Sequence, residues 1–237
     1  MRPFEAALGR IHGGLVLDVA TGRGDFAVVL AERLAEYAQI VGADIDMEMM
    51  ADALGETERE RVQFAQMDAA RLGFADGSFD TVSISASLHH LADPSPVLSE
   101  LWRVLRPGGH LIVAEMHRDA ATPAQATSVR LHGLVATVNR AEGWPHYPTL
   151  SRQQIVDLLR GLDLRDVSVF DWADVDEDPL DEETVAEHEV LLDRYVERAR
   201  GLCYAEIERE VEALRRLLHD VGSEDEPRIA IIGEKPG

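Results

Sequence analysis

Cysteine and lysine are almost missing from this chain: Cys203 and Lys235 are the single instance of each. With one thiol no internal disulfide can form, so nothing in the fold requires an oxidising compartment. Basic residues are scarce too. The 23 Lys and Arg face 44 Asp and Glu, giving a formal net charge of −21. Such a surface repels a phosphate backbone, which argues against DNA or RNA as a partner. No apolar run is long enough to span a bilayer, and Glu5 and Asp18 interrupt the N-terminal stretch. Neither a membrane helix nor a signal peptide is therefore expected, and the expected setting is cytoplasmic.

What is present has a clear rhythm. At 237 residues the chain has the length of one main domain, read here as spanning 1–237. Residues 15 to about 117 alternate apolar and amphipathic runs in βαβ fashion, with strands at 15–20, 39–44, 61–67, 81–85 and 110–116. Each is rich in Val, Ile or Leu, as strands covered on both faces must be. Helices are predicted at 24–37, 47–58 and 95–105, the last stopped by Arg106-Pro-Gly-Gly. Further on, a helix at 123–140, one running from Ser151 to Gly161, and strands at 164–172 and 228–233 complete the reading. The fold class is α/β, a Rossmann-like doubly wound sheet of seven strands with a helical insertion before the last.

Two segments stand outside that rhythm. Residues 118–150 read as a lid insertion over the sheet. Residues 174–226 carry 19 Asp and Glu against 6 Arg, −13 of the total charge. Within the acidic segment, Val185, Leu192, Tyr195, Ala199 and Leu202, and then Ile207, Val211, Leu214, Leu218 and Val221, recur at helical spacing. Two amphipathic helices meeting near Gly201 fit this pattern. They form either a hairpin packed on its own domain or an arm that makes a homodimer.

The chemistry concentrates at the sheet's first turn. Val16-Leu-Asp18-Val-Ala20-Thr-Gly22-Arg-Gly24-Asp is a buried strand ending in a glycine turn that opens a helix, and Asp44 ends the next strand. That is the layout of a nucleotide-cofactor site. Gly22-x-Gly24-x-x-Ala27 also satisfies the dinucleotide fingerprint literally, so an NAD enzyme stays open at this point. Asp18 ahead of the turn, Asp68 after the third strand and Phe79-Asp80 opening the fourth move the balance.

Those residues resemble class I S-adenosylmethionine-dependent methyltransferases, in the branch of the ubiquinone and menaquinone C-methyltransferases. The resemblance spans roughly residues 14–117. It is carried by Asp18-Val-Ala-Thr-Gly-Arg-Gly-Asp, by Gly42-Ala-Asp44-Ile-Asp46 with Met49 and Met50, by Gln66-Met-Asp68-Ala-Ala-Arg-Leu, and by Leu101-Trp-Arg-Val-Leu-Arg-Pro-Gly-Gly. Ala20 stands where most class I enzymes place glycine.

The resemblance implies S-adenosylmethionine as cofactor and a small-molecule acceptor. Ala20, Thr21, Gly22 and Gly24 would form the turn through which the backbone approaches the ligand, and the following helix N-terminus would receive its carboxylate. Asp18 would take the ammonium end, and Asp44 both ribose hydroxyls. Asp68 and the Ala69 N–H would hold the adenine between Ile45 and Met47, with Ser85 facing the methyl position. Bland alternatives exist: Asp44 as a helix cap, a place Asp46 fills more naturally, and Asp68 as an ordinary loop residue. Asp18 inside an apolar strand is costly unless paired.

Methyl transfer is an in-line displacement on an activated sulfonium, so alignment and water exclusion come first and a base is optional. His89, His90 and His117 are the catalytic candidates, with Glu115 placed to orient His117. His132, His146 and Tyr147 read as surface or packing residues of the insertion. No metal site is expected: His110, Glu115 and His117 lack ligand spacing, and there is no cysteine cluster. The short N-terminal helix leaves residues 123–147, with the acidic hairpin, to enclose the acceptor. Two other functions remain: a protein that binds the cofactor without turnover, and an NAD oxidoreductase, disfavoured because no Tyr-x-x-x-Lys pair occurs.

Overall fold

A computed structural model describes residues 2–46, 61–173, 178–201 and 204–237. The predicted helix at 47–58, and Met47 with it, lie outside the described residues. Strands β1 (Leu15–Val19), β2 (Gln39–Asp44), β3 (Val62–Gln66), β4 (Phe79–Ser85), β5 (Leu105–Met116), β6 (Arg165–Trp172) and β7 (Arg228–Glu234) form one sheet in the order β3-β2-β1-β4-β5-β7-β6. Six strands, β1 to β6, run in one direction. β7 enters antiparallel between β5 and β6, a reversal the apolar pattern of the strand does not encode.

Strand alternation divides the core into two layers. Leu17, Val19, Leu111, Val113, Ile229 and Ile231 face one side, where helices α3 (Ser95–Val104) and α5 (Arg152–Arg160) cover them through Leu101 and Ile155. Val16, Ile112, Ala114, Ala230 and Ile232 face the other, under α1 (Pro3–Leu8) and α2 (Asp25–Arg33). There Phe4 stacks on Phe26 and Trp172 at 6.3 and 5.5 Å. β6, with a largely exposed burial pattern, forms one edge.

Some boundaries differ from expectation for local reasons. α2 stops at Arg33 instead of Tyr37, because Leu34 turns extended (ψ 144). Arg106-Pro-Gly-Gly is absorbed into β5 as an irregularity: Phe79 pairs with Leu105 and Thr81 with His110, so the intervening residues loop out, with Gly108 left-handed at φ 69.

The two predicted insertions form a single layer. α4 (Pro123–Ala141) packs with α6 (Glu182–Arg198) and α7 (Tyr204–Val221) around a separate apolar cluster of Leu131, Leu134, Val138, Leu192, Tyr195, Val211, Leu214 and Leu218. The apolar stripes of the acidic helices are thus turned inward onto α4. Arg130 pairs with Glu210, Arg198 with Glu142 and Arg215 with Glu189 around this bundle. None of the helices, over the described residues, is long and apolar enough to cross a membrane.

Candidate functional site

Residues 20–24 turn from β1 into α2 through three left-handed positions, Ala20 (φ 53), Gly22 (φ 53) and Gly24 (φ 83). The Thr21 N–H donates to the Ala43 carbonyl at 3.1 Å and the Gly24 N–H to the Thr21 carbonyl at 2.8 Å. Gly24 caps α2 with no side-chain hydrogen bond, which leaves the first-turn N–H groups without a capping side chain, the condition under which a helix N-terminus can receive an anion. At the tip of β2, Asp44 Oδ2 accepts the Gly22 N–H at 2.8 Å while Oδ1 accepts the Asp46 N–H at 3.0 Å. Carboxylate and glycine turn are one bonded unit, and each oxygen keeps a second lone pair.

Asp18 lies deeper, 1% exposed. Register places it beside Ser83 of β4, whose hydroxyl donates to Oδ1 at 2.7 Å, while the Thr21 hydroxyl donates to Oδ2 at 2.6 Å. Burial pushes its carboxyl up to about 6, against the lowering effect of those two hydrogen bonds, and Asp44 adds a smaller upward push. Asp18 therefore fastens the turn to β4. Ser83, an unremarked polar residue in an apolar strand, is the partner that the sequence reading missed.

The remaining predicted contacts spread along the same rim. Ile45, next to Asp44, is 69% exposed, an apolar side chain in the open. The Gln66 amide donates to the Ile45 carbonyl at 2.9 Å and holds that loop to β3. Asp68 is exposed, and its Oδ1 accepts the Ala70 N–H at 2.9 Å around the half-buried Ala69. Ser85 is half-buried, and its carbonyl accepts the Ser87 hydroxyl at 2.7 Å.

Past β4 a 3-10 turn, Leu88–His90, carries the two adjacent histidines. Glu115, buried in β5, accepts the Ser87 and Leu88 N–H groups at 2.9 and 2.7 Å and approaches His89 Nδ1 at 3.2 Å. It orients His89, not His117. His117 instead accepts the Asp119 N–H at 3.3 Å, apart from the pair, and burial pushes its imidazole down. His90 Nδ1 donates to the Pro145 carbonyl at 3.0 Å, and burial, then His89, push its imidazole down.

His132 and His146 are not bystanders. Their Nε2 atoms face each other at 2.8 Å, and His146 is 7% exposed, pushed down to about 3 by burial and by His90, His132 and His89. Beyond His110, Glu115 and His117, whose spacing points to no metal site, His89, His132 and His146 converge from three separate segments as a group with the geometry to hold an ion. Beside them lies a cavity of about 320 Å³, lined by Met116, Leu131, His132, His188, Glu226 and Arg228 among others. Met116 ends β5 and Arg228 begins antiparallel β7, so the cavity opens on the same rim as the glycine turn.

A family model described as a methyltransferase domain matches residues 17–113. The chain is 46% identical over 102 residues to the demethylmenaquinone methyltransferase of Thermus thermophilus, covering 42% of this chain and 46% of that one. It is 30% identical over 166 residues to the demethylmenaquinone methyltransferase of Porphyromonas gingivalis, covering 64% of this chain and 68% of the relative. Several such matches, the Thermus one included, span less than half of the relative's length. In fold, the YcgJ protein of Bacillus subtilis superposes with a TM-score of 0.60 at 18% identity, covering 99% of this chain and 97% of that one. The motifs, the sheet order and a relative aligned over two thirds of its length make this chain a member of the class I S-adenosylmethionine-dependent methyltransferase family, in its quinone C-methyltransferase-like branch.

Proposed function

We propose that the chain binds S-adenosylmethionine along the rim of β1, β2 and β3 and transfers its methyl group to a small-molecule acceptor under the three-helix cap. One observation carries this reading. The Asp44 carboxylate is hydrogen-bonded to the Gly22 amide at 2.8 Å, so a ribose-binding acid and a glycine cradle stand in one fixed unit, as a nucleoside ligand requires.

The other residues fit the cofactor piece by piece. The uncapped start of α2 suits a carboxylate. Asp18, held by two hydroxyls, presents negative charge toward an ammonium once ionised. Ile45 offers an apolar face for adenine, with Asp68 and Ala69 beyond it, and Ser85 stands at the end of β4. Bound there, the sulfonium supplies an activated methyl group. The chain's part is to align the acceptor and keep water out. His90 contacts the acceptor in this reading, while His89 lies buried behind it on Glu115 and His117 has no part in it.

A cavity of about 320 Å³ is at the small end of ligand sites and suits a ring-sized acceptor. The named activity of the relatives favours a quinol or phenol ring. The test is transfer of a labelled methyl group from S-adenosylmethionine to a panel of phenols, quinols and enols, with S-adenosylhomocysteine measured as the second product. Label in at least one acceptor, reduced at least tenfold by His90→Gln, is the expected outcome. Cofactor binding without label in any acceptor would instead make this a cofactor-binding protein without turnover.

A further inference from the structure

Three histidines meet where the helical cap touches the sheet: His89 in the turn after β4, His132 on α4 and His146 in the loop that follows. Their ring centroids are 4.8 to 5.3 Å apart. Each ring has its Nδ1 edge engaged. Glu115 Oε1 is 3.2 Å from His89 Nδ1, Glu226 Oε1 is 3.4 Å from His132 Nδ1, and the Asn139 amide is 2.8 Å from His146 Nδ1. We propose that His89, His132 and His146 bind one divalent transition-metal ion of the zinc type through their Nε2 atoms, leaving a fourth position open.

Geometry and donor chemistry both point this way. The three ligand atoms lie within 4.8 Å of one another. Around a tetrahedral ion with Zn–N of about 2.0–2.1 Å they would stand about 3.4 Å apart, a closure within reach of side-chain rotation. An all-imidazole set selects zinc and its neighbours over calcium or magnesium, and three protein ligands with one open position is the pattern of a reactive rather than a closed site. Carboxylates behind two of the rings are what a metal-ligating histidine uses to fix its tautomer. Glu226 is informative here: among the described residues its buried Oε1 has no hydrogen-bond partner, only the approach to His132.

The alternative is a bare hydrogen-bonded cluster in which His132 and His146 share one proton between their facing nitrogens. Metal binding rearranges that proton. It moves to His146 Nδ1, where the Asn139 amide must turn its oxygen inward, giving up the 2.7 Å bond from Arg198, which keeps Glu142. His132 and Glu226 also line the cavity under the cap, so the open position borders that space. An acceptor oxygen binding there rests on the methyl-transfer reading; the ion itself does not.

The test is titration of chelator-treated protein with Zn²⁺ by calorimetry and with Co²⁺ by visible absorption. The expected results are one ion per chain and the d–d bands of a tetrahedral, nitrogen-ligated cobalt. His132→Gln and His146→Gln should each weaken Zn²⁺ binding at least a hundredfold, and Asn139→Asp, which puts a carboxylate behind His146, should bind at least as tightly as the wild type. His219→Gln, an exposed histidine away from the cluster, should change nothing. Near-ultraviolet circular dichroism checks that each variant is folded. Absence of stoichiometric binding by the wild type, or a folded His132→Gln/His146→Gln double variant that binds like it, overturns the site. S-adenosylhomocysteine binding, measured separately, reports on the methyl-transfer reading alone.

Discussion

Two residues at the glycine turn sit against their own preferences. Ala20 is left-handed at φ 53, a conformation that costs an alanine about 1 kcal/mol or more. Ala20→Gly should therefore stabilise the protein by about 1 kcal/mol, raising Tm by roughly 2–4 °C in calorimetry; a lower Tm would mean that the methyl group packs usefully. Asp18 is the second. Its carboxyl is pushed from 3.8 up to about 6 in the fold, so the native state holds the proton more tightly than the unfolded chain. The resulting stability is fully present below pH 3.8 and is lost as pH rises to 6, a change of about 3 kcal/mol at most. Asp18→Asn lacks that loss. Chemical denaturation should show the variant gaining on the wild type between about pH 4 and 6 and holding a constant difference above pH 7; a difference flat across the whole range contradicts a proton-holding Asp18.

Elements close on one another through specific residues, and Gly222 closes the cap. It is left-handed at φ 74, and a Cβ there would stand 1.9 Å from the Pro179 carbonyl oxygen, where the Ser223 N–H donates at 3.0 Å. Gly201, between α6 and α7, has φ 95 but, among the described residues, nothing within 4 Å of such a Cβ. Gly201→Ala should cost only the backbone preference, about 1–2 kcal/mol, and Gly222→Ala clearly more, as the order of their melting temperatures will show. Equal losses would mean that the junction yields. At this scale the sequence was readable where periodicity speaks: seven strands, the cap helices and their apolar stripes all follow from it. What those stripes pack against was not, because Leu131 and Leu134 of α4 lie far along the chain from Leu192 and Leu214. The antiparallel entry of β7 was hidden for the same reason.

Across the whole molecule, like charge dominates. A net charge of −21 makes self-repulsion a destabilising term that salt screens, so Tm should rise as sodium chloride goes from about 0.02 to about 0.3 M; a fall would place more weight on ion pairs such as Arg152–Asp171. The candidate site was legible in proportion to how local it is. Gly22, Gly24 and Asp44 announce themselves by spacing, whereas Ser83 beside Asp18, and His132 and His146 beside His89, come together only once the chain is folded. The account depends above all on the rim formed by that glycine turn and Asp44. Calorimetric titration of the wild type and of Asp44→Asn with S-adenosylhomocysteine tests it most directly. The prediction is one ligand per chain, with the variant weaker by about ten- to a hundredfold, the loss of charge-assisted hydrogen bonds worth about 1.5–3 kcal/mol. No binding by the wild type, or equal affinity in the folded variant, would contradict it.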